Sequence, residues 1–456
     1  MQQKLSLKLL PAEAVNETIV RQAIAQTCAI NETNVTGYHI LKQSIDARGK
    51  IIWVNLTVDA FINEPFHDRP VITFDFKNVQ HVKHQVVIIG AGPAGLFAAL
   101  KLIEQGIRPI ILERGKDVKS RRRDLAILNK EGIINPESNY CFGEGGAGTY
   151  SDGKLYTRST KRGNISRILQ LFYHFGAPQN ILYENHPHIG TNKLPQIITA
   201  IRQQILNCGG LFLFEKKVVD FITANNAISY VQTSDGDKFK ASAFILATGH
   251  SARDIFTLLY SKKIIIESKP FALGVRIEHP QDIIDSIQYH NIKRDTCLPP
   301  ASYNLVEQVD NRGVFSFCMC PGGIIAPAAT NYEELVVNGW SPSKRNNPYA
   351  NSGMVVQVNE IDAFNFLKSR KNEHLNSDNY PLLLADFQSA IEKITYTAGG
   401  GKFVAPAQRM VDFVNEKISD TLPSCSYLPG VLSADLKEIL PGFIYTSLQI
   451  AFKNLG

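Results

Sequence analysis

Three glycines close to residue 90 have the spacing that brings a backbone against a pyrophosphate group. They follow residues 86–89, four consecutive β-branched residues of the kind found in buried parallel strands. In such a G-x-G-x-x-G pattern the first glycine permits a tight turn, the second admits the ligand and the third lets helix pack on strand. The pyrophosphate then lies at a helix N-terminus, where free N–H groups favour an anion. The residues expected to bind it are Gly90, Gly92, Pro93, Ala94 and Gly95.

An acidic residue at the end of the next strand completes this pattern. Glu113 follows Gly95 at about the 20-residue interval at which a carboxylate accepts the ribose hydroxyls of a dinucleotide. Gly106 is placed to end the intervening helix as a C-cap residue. Strand, turn, helix and acid therefore agree on a dinucleotide site, but the adenosine ribose is common to NAD and FAD.

Three later features favour FAD. Basic residues at 114–123 could neutralise a pyrophosphate or form a solvated helix face. The Gly-dense string FGEGGAGTYSDGKL at 142–155 indicates close approach to a flat ligand, or a mobile surface loop. The string ATG at 247–249 ends a buried strand and could pass beneath the cofactor or be an ordinary strand exit. The further contacts expected are Arg114, Arg121, Gly146, Gly148, Ser151, Gly153, Lys154, Val218, Thr248 and Gly249.

These strings resemble those of the uncharacterised FAD-dependent dehydrogenases, relatives of the glutathione-reductase-type flavoproteins. The resemblance covers nearly the whole chain: KQSIDAR at 42–48, ERGKDV at 113–118, the Gly-dense string at 142–155, TGHSARD at 248–254, FCMCPGG at 317–323, GGGKFVAPAQR at 399–409 and PSCSYLPG at 423–430. It implies an FAD-binding domain interleaved with a family-specific C-terminal domain, but no known substrate. Relatives carry another Gly-rich segment near their C-terminus that closes the FAD site. We therefore expect this chain to be truncated and to bind FAD weakly.

The residues that could take part in chemistry each have a simpler alternative. Lys154 could stabilise a reduced flavin or pair with Asp152, and His250 could act as acid or base or satisfy backbone groups at a helix start. Cys318 and Cys320 could form a redox pair or simply pack on one face of a strand. Catalytic residues therefore stay open, with Lys154 and His250 as candidates.

The elements predict an α/β fold with an FAD/NAD(P)-binding Rossmann-like domain, an inserted α+β domain and a small N-terminal α/β domain. Residues 1–84 contain an alternating strand, a helical stretch to about residue 28 and two more strand-like runs. Further strand-like runs at 272–278, 314–320 and 354–358 mark the second domain. The domains expected are 1–84, an FAD-binding domain at 85–268, a substrate or cap domain at 269–434, and a truncated return to the FAD-binding domain at 435–456.

Composition indicates a soluble cytoplasmic protein. Lys and Arg number 48 against 42 acidic residues, which is too mild an excess to predict nucleic-acid binding. The seven cysteines include no C-x-x-C pair, so neither a disulfide framework nor a metal site is expected, and no apolar run is long enough to span a membrane. We expect an FAD-dependent dehydrogenase or reductase with a small-molecule substrate and an unidentified electron donor or acceptor. A flavin monooxygenase using transient NAD(P)H, and a flavin-binding protein of RNA modification or interaction, remain alternatives.

Overall fold

The computed structural model describes residues 1–157, 163–225, 227–370 and 380–455. The chain begins with a small antiparallel sheet covered by a helix, as the alternation of Leu5, Leu7 and Leu9 predicts. Those three leucines are buried together with Val20 and Ile24 of the helix, in one core. The elements are β1 Gln2–Leu9, α1 Pro11–Ala14, α2 Glu17–Cys28, β2 Val35–Asp46 and β3 Trp53–Ile62, and the sheet has the order β1-β3-β2.

A parallel sheet follows and positions the Gly-rich turn. Val87 and Ile88 of its central strand have no exposed surface, as expected for a β-branched strand covered on both faces. Ala99 and Ile103 of the first helix are equally buried and belong to the core on one of these faces. The elements are β4 Gln85–Ile89, α3 Pro93–Glu104, β5 Arg108–Leu112, α4 Val118–Glu131, α5 Ile165–His174, α6 Leu194–Asn207, β6 Leu211–Leu213, β10 Ala243–Leu246 and α7 Arg253–Ser261, with sheet order β10-β4-β5-β6.

Two larger antiparallel sheets follow. The first is an excursion between β6 and β10, formed by β7 Val218–Ala224, β8 Ala227–Thr233 and β9 Lys238–Phe239. The second belongs to the α+β part of the chain and confirms the strand-like runs predicted there. Its strands are β11 Phe271–Pro280, β12 Val306–Val309, β13 Arg312–Cys320 and β16 Tyr349–Val358, in the order β11-β16-β13-β12.

Helices and short strand pairs surround this second sheet. The short pairs join residues 324–327 to 337–340 and residues 405–407 to 431–433. We propose that the domains of this chain divide near residues 84 and 268, as predicted, because β4 begins at Gln85 and β11 at Phe271. The remaining elements are α8 Gln281–Tyr289, β14 Ile324–Pro327, β15 Val337–Trp340, α9 Glu360–Ser369, α10 Leu383–Ala398, β17 Ala405–Ala407, α11 Met410–Val414, β18 Val431–Ser433, α12 Leu436–Ile439 and α13 Gly442–Leu455.

The last helix corrects one expectation. Residues 435–456 were expected to begin a return to the FAD-binding domain. Instead, α13 packs on the sheet formed by β11, β16, β13 and β12. Its Ile444 and Leu448 are fully buried with Met354 and Val356 of β16. An amphipathic helix takes the apolar surface that is nearest in space, and sequence periodicity does not identify that surface.

The helices also bear on membrane insertion. Within the described ranges, no helix combines the length and apolar character that crossing a bilayer requires.

Candidate functional site

The turn between β4 and α3 requires glycine at two positions. Gly90 has a φ of +104°, and a Cβ there would lie 2.5 Å from the carbonyl oxygen of Ala247. A Cβ at Gly95 would lie 2.0 Å from the carbonyl oxygen of Gly90. Both glycines therefore allow backbone segments to pack, which is the role the fingerprint assigns to its first and third glycines.

Gly92 differs because its missing side chain faces open space. It is the N-cap of α3, forms no side-chain cap bond, and a Cβ there would meet no protein atom within 4 Å. The N–H groups of a first helical turn have no acceptor within their own helix. The start of α3, with Gly92, Pro93 and Ala94 at the wall of a cleft, can therefore hold an anion.

Glu113 is buried at the end of β5, and its carboxylate accepts three backbone N–H groups. Oε2 accepts from Ala91 at 2.8 Å, and Oε1 accepts from Gly115 and Gly143, each at 2.9 Å. These bonds fix the acid between the turn and the Gly-dense loop. A carboxylate has about four lone-pair sites, so Glu113 retains acceptor capacity for a ribose hydroxyl.

The Gly-dense loop lies directly against the turn. Gly145 donates its N–H to the carbonyl of Ala91 at 2.8 Å. A Cβ at Gly146 would lie 3.1 Å from the Cα of Gly92, and one at Gly148 would lie 3.2 Å from Cγ of Pro93. Side chains at these positions would press on the start of α3, so the glycines keep the gap open for a ligand.

Arg121 holds this loop from beneath. Its side chain has no exposed surface, and its guanidinium donates to four loop carbonyls at 2.7–2.9 Å and to the Thr149 hydroxyl at 3.1 Å. All five guanidinium donors lie in this network of bonds. The predicted contact of Arg121 with cofactor is therefore replaced by a structural role, because the loop carbonyls occupy the group. Those carbonyls belong to Asn139, Tyr140, Glu144 and Gly146.

The opposite wall of the cleft comes from β10 and β7. The N–H of Ala247 donates to the carbonyl of Ile89 at 2.8 Å, which continues the β10–β4 ladder to the predicted exit at Thr248 and Gly249. Gly249 has a φ of +73°, and a Cβ there would meet nothing within 4 Å. Val218 borders the same space from the start of β7.

These elements enclose a cleft of about 420 Å³. That volume lies within the roughly 300–1,000 Å³ of small-molecule sites. Most of the predicted contacts border it, whereas Gly95, Arg121, Ser151, Gly153 and Lys154 do not. The predicted residues that line the cleft are Gly90, Gly92, Pro93, Ala94, Glu113, Arg114, Gly146, Gly148, Val218, Thr248, Gly249 and His250.

Several residues at the cleft were missed by sequence reasoning, among them Phe142, Lys216, Lys217 and Ser251. Lys216 and Lys217 follow the short strand β6. The carboxyl ends of parallel strands meet at one edge of a sheet, where ligands of open α/β sheets bind. That rule could have identified the two lysines, because they follow the carboxyl end of β6 and directly precede Val218, which was predicted to contact the cofactor.

Arg114 borders the cleft but is paired with carboxylates. It donates to Glu137 at 2.6 Å and to Asp254 at 3.0 Å, and its guanidinium lies 4.4 Å from the ring centroid of Phe142. Burial raises the pKa of Asp254, but the hydrogen bond and charge of Arg114 lower that pKa by more. Lys217 also contacts Glu137, at 2.6 Å. This network aligns the cleft wall, and its cations are largely neutralised within it.

The remaining predicted contacts lie at the end of the loop. The Ser151 hydroxyl donates to the Gly148 carbonyl at 2.9 Å and accepts from the Gly153 N–H at 3.1 Å, which shapes the loop. Gly153 has a φ of +69°. Lys154 points to the second sheet, where its Nζ lies 3.0 Å from Asp152 and 3.8 Å from the sulfurs of Cys318 and Cys320. His250 is exposed at the cleft.

The residues present fit the adenosine and pyrophosphate half of FAD. The uncapped start of α3 offers backbone donors beside the open space at Gly92. Glu113 stands at the adjacent strand end with acceptor capacity left, and the Gly-dense loop leaves a gap over the turn. A dinucleotide presents hydroxyls and a pyrophosphate in this order along its length.

Comparison with known proteins decides the family. Residues 84–259 match the family described as pyridine nucleotide-disulphide oxidoreductase, and residues 270–456 match that described as FAD-dependent protein, C-terminal domain-like. Residues 1–61 match a domain of unknown function. A protein of Clostridium beijerinckii described as uncharacterized is 35% identical over 454 residues, covering 96% of this chain and 82% of that protein. The chain belongs to a family of FAD-dependent proteins.

This membership confirms the resemblance and the cofactor predicted from the sequence. The chain is a flavoprotein of the oxidoreductase class with a Rossmann-type FAD-binding fold and additional domains. The family descriptions name neither a substrate nor a direction of electron transfer.

Distant likenesses to solved structures have low TM-scores. The GidA-related protein from Thermus thermophilus is 14% identical with a TM-score of 0.26, over 42% of this chain and 74% of that chain. THI4 from Thermovibrio ammonificans is 18% identical with a TM-score of 0.26, over 41% and 66%. The tetracycline destructase Tet(51) is 12% identical with a TM-score of 0.29, over 67% and 66%. Scores this low carry no argument about function.

Glu113→Gln tests the acid at the strand end. The amide offers one oxygen where the carboxylate offers two, so at least one of the three N–H groups loses its acceptor. We expect unfolding free energy to fall by about 1–3 kcal/mol and the FAD dissociation constant to rise at least about tenfold. Urea unfolding and flavin fluorescence titration measure the two effects. Glu17→Gln, on an exposed side chain of the N-terminal unit, is the control. Wild-type FAD affinity in a stable Glu113→Gln protein would contradict the assignment.

Proposed function

We propose that this FAD-dependent protein is a dehydrogenase or reductase that transfers hydride between a small-molecule substrate and flavin N5. The observation that carries the proposal is the cleft in which the uncapped helix N-terminus, Glu113 and the Gly-dense loop converge. When bound, FAD supplies a hydride acceptor and donor at N5. The side chains then serve to bind, orient and exclude water.

The substrate end of the site is proposed at the boundary with the second domain. A small cavity of about 30 Å³ shares Cys141 and Ala147 with the cleft and is otherwise lined by residues such as Tyr140, Tyr150 and Trp340. That volume holds about one water molecule, so the cavity is too small for a substrate and only marks the aromatic side of the cleft. We propose that a small molecule enters from this side.

His250 is the proposed acid or base, because it borders the cleft and is exposed to solvent. A general acid or base must reach the transferred proton directly or through one water. Lys154 does not line the cleft; its ammonium group contacts Asp152 and the thiols of Cys318 and Cys320. Its proposed part in the reaction is to place positive charge near the substrate end.

The proposal extends to partners and location. A dehydrogenase also needs an electron donor or acceptor, for which transient NAD(P)H is a candidate. All seven cysteines are free thiols, which favours the reducing cytoplasm. We propose no role in nucleic-acid binding, because the formal charge of +6 is modest for a chain of this length.

Anaerobic reduction tests the reaction class. Purified holoprotein is mixed with panels of hydroxy acids, amino acids and NAD(P)H, and the loss of oxidised-flavin absorbance is followed. A true substrate bleaches the flavin, deuterium at its reacting carbon slows the bleaching, and His250→Ala slows it at least about tenfold. Reoxidation under isotopically labelled O₂ should restore the colour without label entering the product. Label from O₂ recovered in the product would instead establish the monooxygenase alternative, and the absence of bleaching by every class would overturn the dehydrogenase proposal.

A further inference from the structure

The end of β13 departs from regular strand geometry at a pair of cysteines. Phe317 pairs with Gly353 and Cys320 with Asn351, so three steps along β13 oppose two along β16. The extra residue forms a bulge, and Cys318 within it has a φ of +49°. Bulges re-aim side chains and are common beside functional sites, and a non-glycine residue in this region is strained.

The bulge brings the two sulfurs close together. Two steps along a regular strand span roughly 6.6 Å, whereas the sulfurs of Cys318 and Cys320 are 4.0 Å apart. Arg276 fixes the kink because its Nη2 donates to the Cys318 carbonyl at 2.9 Å. Asn351 in turn accepts from Nε of Arg276 at 2.8 Å. The approach of the thiols is therefore built into the sheet.

A cation lies over both sulfurs. Nζ of Lys154 is 3.8 Å from each, and Asp152 holds this ammonium at 3.0 Å. Arg345 also pairs with Asp152, at 3.0 Å, which leaves part of the positive charge of Lys154 for the thiols. The charged and titratable groups facing the pair or one contact away are Asp152, Lys154, His188, Arg276, Tyr303 and Arg345.

These surroundings shift the pKa values of the two thiols in opposite directions. The hydrogen bond from Cys320 lowers the pKa of Cys318 to about 5, helped by Lys154 and Arg276 and opposed by burial. The same hydrogen bond and burial raise the pKa of Cys320. Burial also lowers the pKa of His188 to about 4, so that ring is neutral at pH 7. The surroundings therefore favour Cys318 as the thiolate of the pair and Cys320 as the partner that carries the proton.

The two cysteines also differ in solvent exposure, and the one with the lowered pKa is the more exposed. Cys318 is half-buried, whereas Cys320 has no exposed surface. A reagent from solvent therefore meets the thiolate first, while the protected thiol is within reach of it. Thiol–disulfide exchange needs this combination of an accessible attacking thiolate and a neighbouring resolving thiol.

We propose that Cys318 and Cys320 form a redox-active dithiol that is oxidised to an intramolecular disulfide by a low-molecular-weight disulfide. The Cys318 thiolate attacks one sulfur of the substrate, forms a mixed disulfide and releases the other half as a thiolate. Cys320 loses its proton to the released thiolate, attacks the sulfur of Cys318 and expels the second half. The pair is oxidised by two electrons, and the small disulfide is reduced to two thiols. Both thiols lie in the second domain, Lys154 comes from the FAD-binding domain, and the exchange does not require the proposed hydride transfer.

Alkylation of the full chain tests the thiolate. Iodoacetamide should modify Cys318 with a rate that changes less than about twofold between about pH 6 and pH 8, whereas an ordinary thiol of pKa about 8.5 changes on the order of a hundredfold. Cys318→Ser removes the fast phase, and Lys154→Met shifts it to higher pH. Cys297→Ser, a half-buried cysteine outside the cluster, should leave it unchanged. An ordinary pH profile at Cys318 in the folded wild type would overturn the assignment.

Oxidation tests the pair itself. The folded chain is incubated with oxidised glutathione, a linear low-molecular-weight disulfide, then denatured in acid, alkylated and digested. The peptide that contains Cys318 and Cys320 should lack both alkyl groups and two hydrogens, and excess thiol should restore them. Cys320→Ser should instead trap the mixed disulfide on Cys318. The same disulfide should form in protein stripped of flavin, so this result stands whether or not hydride transfer is found. Reduced cysteines in wild type and no mixed disulfide in Cys320→Ser would refute the proposal.

Discussion

Gly92→Val is expected to give a folded protein that retains no FAD. Gly92 has φ −70° and ψ −178°, an extended conformation that valine adopts readily, and a Cβ there meets no protein atom within 4 Å. The valine methyls would instead fill the space at the start of α3, where the pyrophosphate meets the backbone. We expect FAD affinity to fall at least about a hundredfold, or about 3 kcal/mol. Exchanging glycine for valine at an N-cap costs about 1 kcal/mol or less of stability.

Flavin content separates this effect from misfolding. The ratio of flavin released on denaturation to protein is measured beside the melting temperature, and apoprotein is titrated with FAD. Gly49→Val is the matched control, because a Cβ at this N-terminal-unit position also meets nothing within 4 Å. Gly95→Val should differ from both by failing to fold stably, since its Cβ would lie 2.0 Å from the Gly90 carbonyl oxygen. Wild-type flavin content in Gly92→Val would exclude this turn as the pyrophosphate site.

The parts of the site predicted from sequence are those whose signals are local. The β-branched strand, the turn glycines and Glu113 lie within one βαβ unit, so their spacing alone fixes their relative positions. The strand exit at Thr248 and Gly249 could be predicted because β10 pairs in parallel with β4. A parallel ladder brings both strand ends to the same edge of the sheet.

The arrangements that the sequence left open depend on contacts between distant segments. Arg114 was expected to meet a pyrophosphate, but Asp254 and Glu137 approach it from elsewhere in the chain. In the sequence, Cys318 and Cys320 have the spacing of two residues on one face of a strand. The bulge that brings their sulfurs together and the contact with Lys154 are features of the tertiary structure. The helix α13 packs on β16 of the second domain, a partner that its periodicity alone does not identify. Pairing partners of this kind are set by tertiary packing, which sequence periodicity does not encode.

Replacing Arg121 should cost a large part of the protein's stability. Arg121→Met keeps the length of the buried stem but removes all five guanidinium hydrogen bonds. Thr149 still donates to the carbonyls of Glu144 and Gly146, so the carbonyls of Asn139 and Tyr140 are the ones left unpaired. Each buried acceptor left unpaired costs about 1–3 kcal/mol, so we expect unfolding free energy to fall by about 2–6 kcal/mol. The loop should also loosen over the turn, with loss of bound FAD. Urea unfolding and flavin content measure the two consequences.

Two further variants identify the cause. Arg123→Met changes an exposed residue of the same helix and should leave stability and flavin content unchanged. Arg121→Lys retains the charge but replaces the planar fork by a single ammonium, which cannot reach acceptors on several sides at once. If charge alone mattered, lysine would restore wild-type stability; if the fork matters, the lysine variant should remain at least about 2 kcal/mol less stable than wild type. A stable, yellow Arg121→Met protein would show that the Gly-dense loop holds its shape without the arginine, and would contradict its assignment as the support of the cleft.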